Sequence, residues 1–183
     1  MNAVNKESVR AVGVGGTASV AKKGLAAVSV ITSPLGDAER KTTGDALQGT
    51  LIDLIDLSLT AKQYHWNLVG PRFRSIHLQL DEVVASARTH ADTVAERAAA
   101  IGVSPDGRAQ TVAAGAAAPS EPAWVADTAV VDGVVRLLRD IGGRLRGHID
   151  AVAEADPVSQ DILIAVARDL EKQAWMFEAQ AAH

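Results

Sequence analysis

Residues 72–101 read RFRSIHLQLDEVVASARTHADTVAERAAAI, the longest stretch of the chain free of both proline and glycine. Gly70-Pro71 stands before it and Gly102 closes it, which predicts one long helix over Arg72–Ile101. His77 and Asp81 are spaced i, i+4, and so are Asp92 and Glu96. At about 100° per residue these four lie near about 0°, 40°, 60° and 100° around the axis, so they share one face. Asp81 and Asp92 are eleven residues apart, which is about 16 Å along a helix. Carboxylate arms do not close that gap around metals that sit about 4 Å apart in a two-metal site. One copy therefore offers two half-sites. A two-fold pair with these helices antiparallel would join each His77/Asp81 end to the other copy's Asp92/Glu96 end. Two such pairs also occur on solvated helix faces that bind nothing, and spacing alone leaves both readings open.

Upstream, a helix is predicted over Asp45–Asn67. Its polar residues Asp53, Asp56, Thr60, Gln63 and Asn67 recur every three or four positions and form one stripe. His65 falls instead with Leu47, Leu54 and Ser58 and points inward. Downstream, residues 102–120 (GVSPDGRAQTVAAGAAAPS) read as a long irregular connection, longer than most helix–helix loops and so laid along the bundle. A third helix is expected over Ala123–Ala155, bent or closely packed at Gly142-Gly143. Asp156-Pro157 then supplies an N-cap and a first-turn proline for a fourth helix reaching the C-terminus. Four helices with one long crossover between the second and third make an all-α, ferritin-like bundle running up-down-down-up. No repeat and no strand-like alternation is visible.

The 183 residues hold 34 alanines against six aromatics, the composition of closely packed helices. With no cysteine, thiolate zinc sites, iron–sulfur clusters, disulfides and Cys nucleophiles are excluded, and any metal must be held by His and carboxylates. No run approaches the roughly 20 apolar residues of a membrane helix. Lys22-Lys23 and the apolar residues after it start too far into the chain for a signal peptide, and Ser33-Pro34-Leu35 stands where a cleavage site would be. A soluble, cytoplasmic protein without membrane partners is expected. Residues 1–41 carry six basic against three acidic residues, leaving −7 of the overall −4 charge on residues 42–183. The division is thus a weakly basic N-terminal tail and an acidic helical domain.

Three stretches together resemble one family: Lys62-Gln63-Tyr64-His65-Trp66-Asn67-Leu68-Val69-Gly70, Ile76-His77-Leu78-Gln79-Leu80-Asp81, and His90-Ala91-Asp92-Thr93-Val94-Ala95-Glu96-Arg97. Ser159-Gln160-Asp161 and Leu170-Glu171-Lys172-Gln173-Ala174-Trp175-Met176-Phe177 extend the match. The chain is similar, over about residues 44–178, to the Dps family of ferritin-like "DNA-binding proteins from starved cells", in its actinobacterial type. The resemblance implies a hollow dodecamer built from two-fold dimers. It implies oxidation of Fe(II) to Fe(III), preferably by hydrogen peroxide and otherwise by dioxygen, with the ferric product stored inside. The family's intersubunit iron ligands fall on His65, His77 and Asp81 of one copy and Asp92 and Glu96 of its mate. Glu96 and Asp81 would hold the tighter iron, with the histidines as weaker ligands. The chain has no Glu-x-x-His pair of the kind that builds an iron centre inside one bundle, which agrees with a shared site.

Trp66 adjoins a proposed ligand and is read chiefly as packing at the dimer contact, with capture of stray radicals a compatible role. Lys62, one turn earlier, would pair with a carboxylate near the site or lie on the surface. Trp124 and Trp175 are read as core or interface. His90 and His148, without a comparable carboxylate context, are read as surface or interface. In the family the junction of the third and fourth helices lines acidic ion pores, which makes Asp161 and Glu154 the pore candidates, whereas Asp156 reads as a cap. Lys6, Arg10, Lys22 and Lys23 are the candidate DNA contacts. Repeated over twelve copies, weak contacts of this kind would add up and fall steeply with salt. A tail this rich in Val, Ala and Gly equally suits folding back on the shell. A nucleoid-coating protein with iron oxidation secondary is therefore the competing function.

Overall fold

The computed structural model describes residues 31–116 and 122–181. Helix α1 spans Asp37–Asn67, starting eight residues before the predicted Asp45. Asp37 and Glu39 lie in its first turn, where carboxylates complement the helix dipole, and Arg40–Asp37 and Lys41–Asp45 ion pairs bridge successive turns. Gly44 does not break it. A Cβ there would come within 2.9 Å of Val103, so the glycine lets the later crossover pack onto α1.

Strand β1, Leu68–Val69, follows directly, and Gly70 turns the chain at φ +138°. Helix α2 then runs Phe73–Ala100 and ends at Gly102, φ +78°, as its sequence predicts. The predicted irregular connection contains a short helix, α3 (Ala109–Gly115), which corrects that expectation. Gln48 explains the path, because its side-chain amide both donates to the Asp106 carbonyl (2.9 Å) and accepts from the Asp106 N–H (2.8 Å). The connection thus lies along α1, with Gly107 and Gly115 against Ile55 and Ile52.

The third long helix starts later than Ala123. Val125–Ala126 form strand β2, parallel to β1, and helix α4 occupies Asp127–Val152. This two-residue pairing is below the length at which alternation can be read. It places the start of α4 beside the end of α1 and the start of α2. Helix α4 passes Gly142-Gly143 without interruption, and a Cβ at either position would meet nothing within 4 Å, so the close packing expected there is not found. Helix α5, Pro157–Ala181, is capped as predicted, with Val158 N–H (3.3 Å) and Ser159 hydroxyl (2.5 Å) donating to Asp156. The order is up-down-down-up.

The bundle is two hairpins, α1/α2 and α4/α5, closed on fully buried side chains such as Leu47, Leu54, Leu80, Leu138, Leu163 and Phe177. Polar groups reach across between the hairpins. Asp53 pairs with Arg144 and Thr50 with His148 between α1 and α4, while Gln79–Gln180 and Arg97–Asp156 join α2 to α5. The α1 polar stripe is therefore not purely a solvent face. Burial and the neighbouring Asp53 push Asp56 above the ordinary carboxylate range.

Candidate metal centre

The turn between α1 and α2 brings two histidines twelve residues apart into contact. The His65 and His77 rings stack at 3.6 Å between centroids and 22° between planes, and Phe73 also stacks on His77 at 4.9 Å. His65 Nδ1 lies 2.9 Å from the His77 carbonyl, and His77 Nδ1 lies 3.0 Å from the His65 carbonyl. A carbonyl can only accept, so each Nδ1 carries the proton. In the neutral rings this leaves the Nε2 lone pairs for a ligand. Such a second hydrogen bond is what orients a metal-binding imidazole.

Asp81 completes the group. One donor atom from each of His65, His77 and Asp81 lies within 4.8 Å of the others. Lys62 Nζ donates to Asp81 Oδ1, and His65 Nδ1 is 3.4 Å from the same oxygen. The hydrogen bond from Lys62 holds the Asp81 carboxyl below its ordinary range, so it is anionic at neutral pH. Two imidazoles and one anionic carboxylate are a donor set suited to Fe(II).

Asp92 and Glu96 do not join this cluster. Both are exposed on the outer face of α2, and neither makes a side-chain hydrogen bond or ion pair among the described residues. Asp92 instead borders an open groove of about 310 Å³, whose walls include Leu51, Ile55, Ala91, Ala95, Pro105 and Gly107. Arg97, next to Glu96, is turned inward, where it donates to Asp156 (2.6 Å) and Ser159 (2.9 Å) and fixes the end of α2. Burial alone would raise Asp156, but the hydrogen bonds from Arg97 and Ser159 outweigh it and hold the carboxyl low.

Other expectations divide. Lys62 does pair with a site carboxylate. Trp66 is 62% exposed on the protomer, so it packs in no core of its own. Trp124 and Trp175 are 75% and 63% exposed, which removes the core reading for both. Asp161 and Glu154 are exposed on either side of the α4–α5 junction. His90 has a carboxylate partner after all, since its Nε2 is 3.2 Å from Asp169, which also accepts from Ser86. His148 is half-buried against Thr50, and burial pushes its pKa down. Lys6, Arg10, Lys22, Lys23 and His183 lie outside the described residues. Reading by spacing missed Arg72 and Asp127, which latch the histidine turn. Asp127 accepts from Arg72 N–H (2.9 Å) and Nε (3.3 Å), and a Cβ on Gly70 would come within 2.7 Å of that carboxyl. The two residues are 55 positions apart, and only the glycine hinted at a close approach.

A helical bundle closing on a His/carboxylate donor set defines the class, that of ferritin-like proteins, and a model of the Ferritin-like domain matches residues 44–183. The "DNA protection during starvation protein" of Agrobacterium fabrum is 35% identical over 144 residues, covering 76% of this chain and 88% of that one. Among solved structures, Mycobacterium smegmatis Dps has a TM-score of 0.78 at 33% identity, with 84% of this chain and 94% of that chain covered. Dps from Microbacterium arborescens in its high iron form has a TM-score of 0.79 at 29% identity, with 84% and 99% covered. The chain belongs to the Dps family.

Proposed function

We propose that this chain is a ferroxidase and iron-storage subunit. Its substrate is Fe(II), bound by His65, His77 and Asp81 of one copy and by Asp92 and Glu96 of a two-fold mate. The observation that carries this reading is the division of α2. One end bears a converged donor set, the other bears two exposed carboxylates on the same face with nothing to bind inside the protomer. Two ferrous ions would each give one electron to hydrogen peroxide. The O–O bond breaks in a two-electron step, its oxygens leave as water after taking up two protons, and no hydroxyl radical is released. The chain's own part is to hold both imidazoles in their Nε2-ligating tautomer and to keep Asp81 ionised.

Six two-fold dimers would close into a hollow dodecamer that mineralises the ferric product, with Asp161 and Glu154 among the acidic groups drawing cations to its pores. The relatives' name and the iron-rich structure support this reading by family. No described helix is long and apolar enough to cross a membrane, and we place the protein in the cytoplasm. Residues 1–41 supply the net positive charge for weak, multivalent DNA contact at the nucleoid. The intact donor set favours iron oxidation as the primary activity over a purely structural DNA coat.

The decisive experiment mixes two inactive variants. Subunits carrying His77→Ala with Asp81→Ala, and subunits carrying Asp92→Ala with Glu96→Ala, are each expected to lose peroxide-dependent Fe(II) oxidation. Random re-assembly of the two should restore about a quarter of the sites, since a shared site needs one intact half from each copy. A mixture as inactive as its parts refutes the shared site. A gel shift with and without residues 1–36, a cut that leaves α1 whole, tests the DNA reading, and unchanged binding after truncation removes Lys6, Arg10, Lys22 and Lys23 from it.

A further inference from the structure

The polar groups that tie α2 to α5 form a seam. Gln79, Ser86, His90 and Arg97 follow one another on α2 at steps of seven, four and seven residues, which keeps them within about 40° around the axis. Asp169, Gln173 and Gln180 make the facing stripe on α5, at steps of four and seven. Both ends of the seam are closed. Gln180 donates to Gln79 (2.6 Å) at one end, and Arg97 donates to Asp156 (2.6 Å) and Ser159 (2.9 Å) at the other. The middle is not closed. The Ser86 hydroxyl donates to Asp169, and His90 Nε2 lies 3.2 Å from the same carboxylate oxygen, so both α2 side chains converge on one atom. Gln173 sits one turn along α5, between two residues that touch α2. It is only 7% exposed, and its Oε1 has no hydrogen-bond partner among the described residues. A buried acceptor left without a partner is costly. Asp169 has His90 as its one ion-pair partner among those residues, and no Lys or Arg pairs with it. The middle of the seam thus holds more acceptor oxygens than donors, and lacks a cation.

We propose that this point is a mononuclear site for a divalent ion of the Zn(II) or Fe(II) class, held by His90 Nε2, the Asp169 carboxylate and Gln173 Oε1. The spacing of the first two already fits. Two donors on a tetrahedral ion with bonds of about 2.0–2.1 Å stand about 3.3 Å apart, and His90 and Asp169 stand 3.2 Å apart. An ion at Nε2 takes the neutral ring with its proton on Nδ1. Ser86 stays on the carboxylate and orients it, as outer hydrogen bonds do around metal ligands. Water completes the coordination, because the His90 and Asp169 side chains are 21% and 29% exposed. The site is separate from the shared pocket. His90 and Asp92 are two residues apart, hence about 200° from each other around α2. All three ligands come from one copy, so the ion would staple hairpin α1/α2 to hairpin α4/α5 without a second molecule.

Zn(II) alone is the probe, in full-length protein carrying His77→Ala with Asp81→Ala so that the histidine turn takes up none. Isothermal titration calorimetry should find one ion per chain. His90→Gln and Asp169→Asn, which keep side-chain size and polarity, should each abolish that binding, and Ser86→Ala should weaken it about tenfold. The same Zn(II) should raise the Tm of the parent and leave that of its His90→Gln variant unmoved. Co(II) in place of Zn(II) should give visible ligand-field absorption in the parent that His90→Gln removes. A hydrogen bond serving only to hold the helices would give neither response. Zn(II) taken up equally by the parent and by His90→Gln, or by neither, overturns the site. Gln173→Leu should weaken binding, and unaltered affinity there overturns the assigned ligand set.

Discussion

The two ends of α2 carry pairs of the same spacing in opposite physical states. At the N-terminal end His77 and Asp81 are already organised, the imidazole stacked and hydrogen-bonded, the carboxylate held by Lys62. At the C-terminal end Asp92 and Glu96 project freely, while the adjacent Arg97 turns inward to Asp156. The organised end draws its partners from the neighbouring helix of the same copy, whereas α1 offers the free end only apolar neighbours such as Leu51 and Ile55. A helix face that is half assembled and half unsatisfied is what a site completed by a second molecule requires. An exposed carboxylate costs nothing to leave in water until its ligand arrives.

The comparison can be broken at either end. The largest expected effect is on chemistry. Asp92→Ala with Glu96→Ala should cut peroxide-dependent Fe(II) oxidation at least 100-fold, as should His77→Ala with Asp81→Ala, while thermal stability changes little in the former because those exposed carboxylates make no side-chain hydrogen bond or ion pair among the described residues. Stopped-flow absorbance of the ferric product measures both, and retained oxidation in either double variant would dissolve the symmetry between the ends.

Next in size is the support of the free end. Asp156→Ala removes the α5 cap and leaves Arg97 without its buried partner, with an expected loss of about 3 kcal/mol, since breaking a buried pair strands a charge. Differential scanning calorimetry should show a Tm lower by about 10 °C for a chain of this size. Gly70→Ala acts on the organised end instead. Its φ of +138° and the nearby Asp127 carboxyl leave no room for a methyl group, and about 2 kcal/mol of stability should go, read from urea unfolding.

The smallest effect concerns protonation. With its folded pKa below the unfolded value, Asp81 contributes stability above the ordinary carboxylate range and loses it as pH falls through the folded pKa. Lys62→Met should move the Asp81 titration back up, visible by carboxyl ¹³C NMR of metal-free protein. An unmoved titration would show that Lys62 is not what keeps the organised end ionised.

Legibility followed range along the chain. The two i, i+4 pairs, the inward face of His65 and the Asp156-Pro157 cap are all local, and each is where periodicity puts it. Helix α3 escaped because it lies in a short Ala/Gly-rich run with one buried side chain, Val112, and packs on α1 through Gly115 against Ile52. The early start of α1 escaped because Gly44 reads as a breaker until Val103 is seen against it. His90 reads as lacking a carboxylate context like that of His77 because Asp169 lies 79 residues away on another helix.

What the amino-acid order determined alone is the set of helices, the kinds of donor available and the separation of the α2 pairs, because backbone hydrogen bonding and a 1.5 Å rise per residue act within one segment. Tertiary structure decided which donors meet. The stacked histidines, the lysine on Asp81 and the solitude of Asp92 and Glu96 all depend on which helix the bundle packs against α2, and that choice is made by burial across the whole chain.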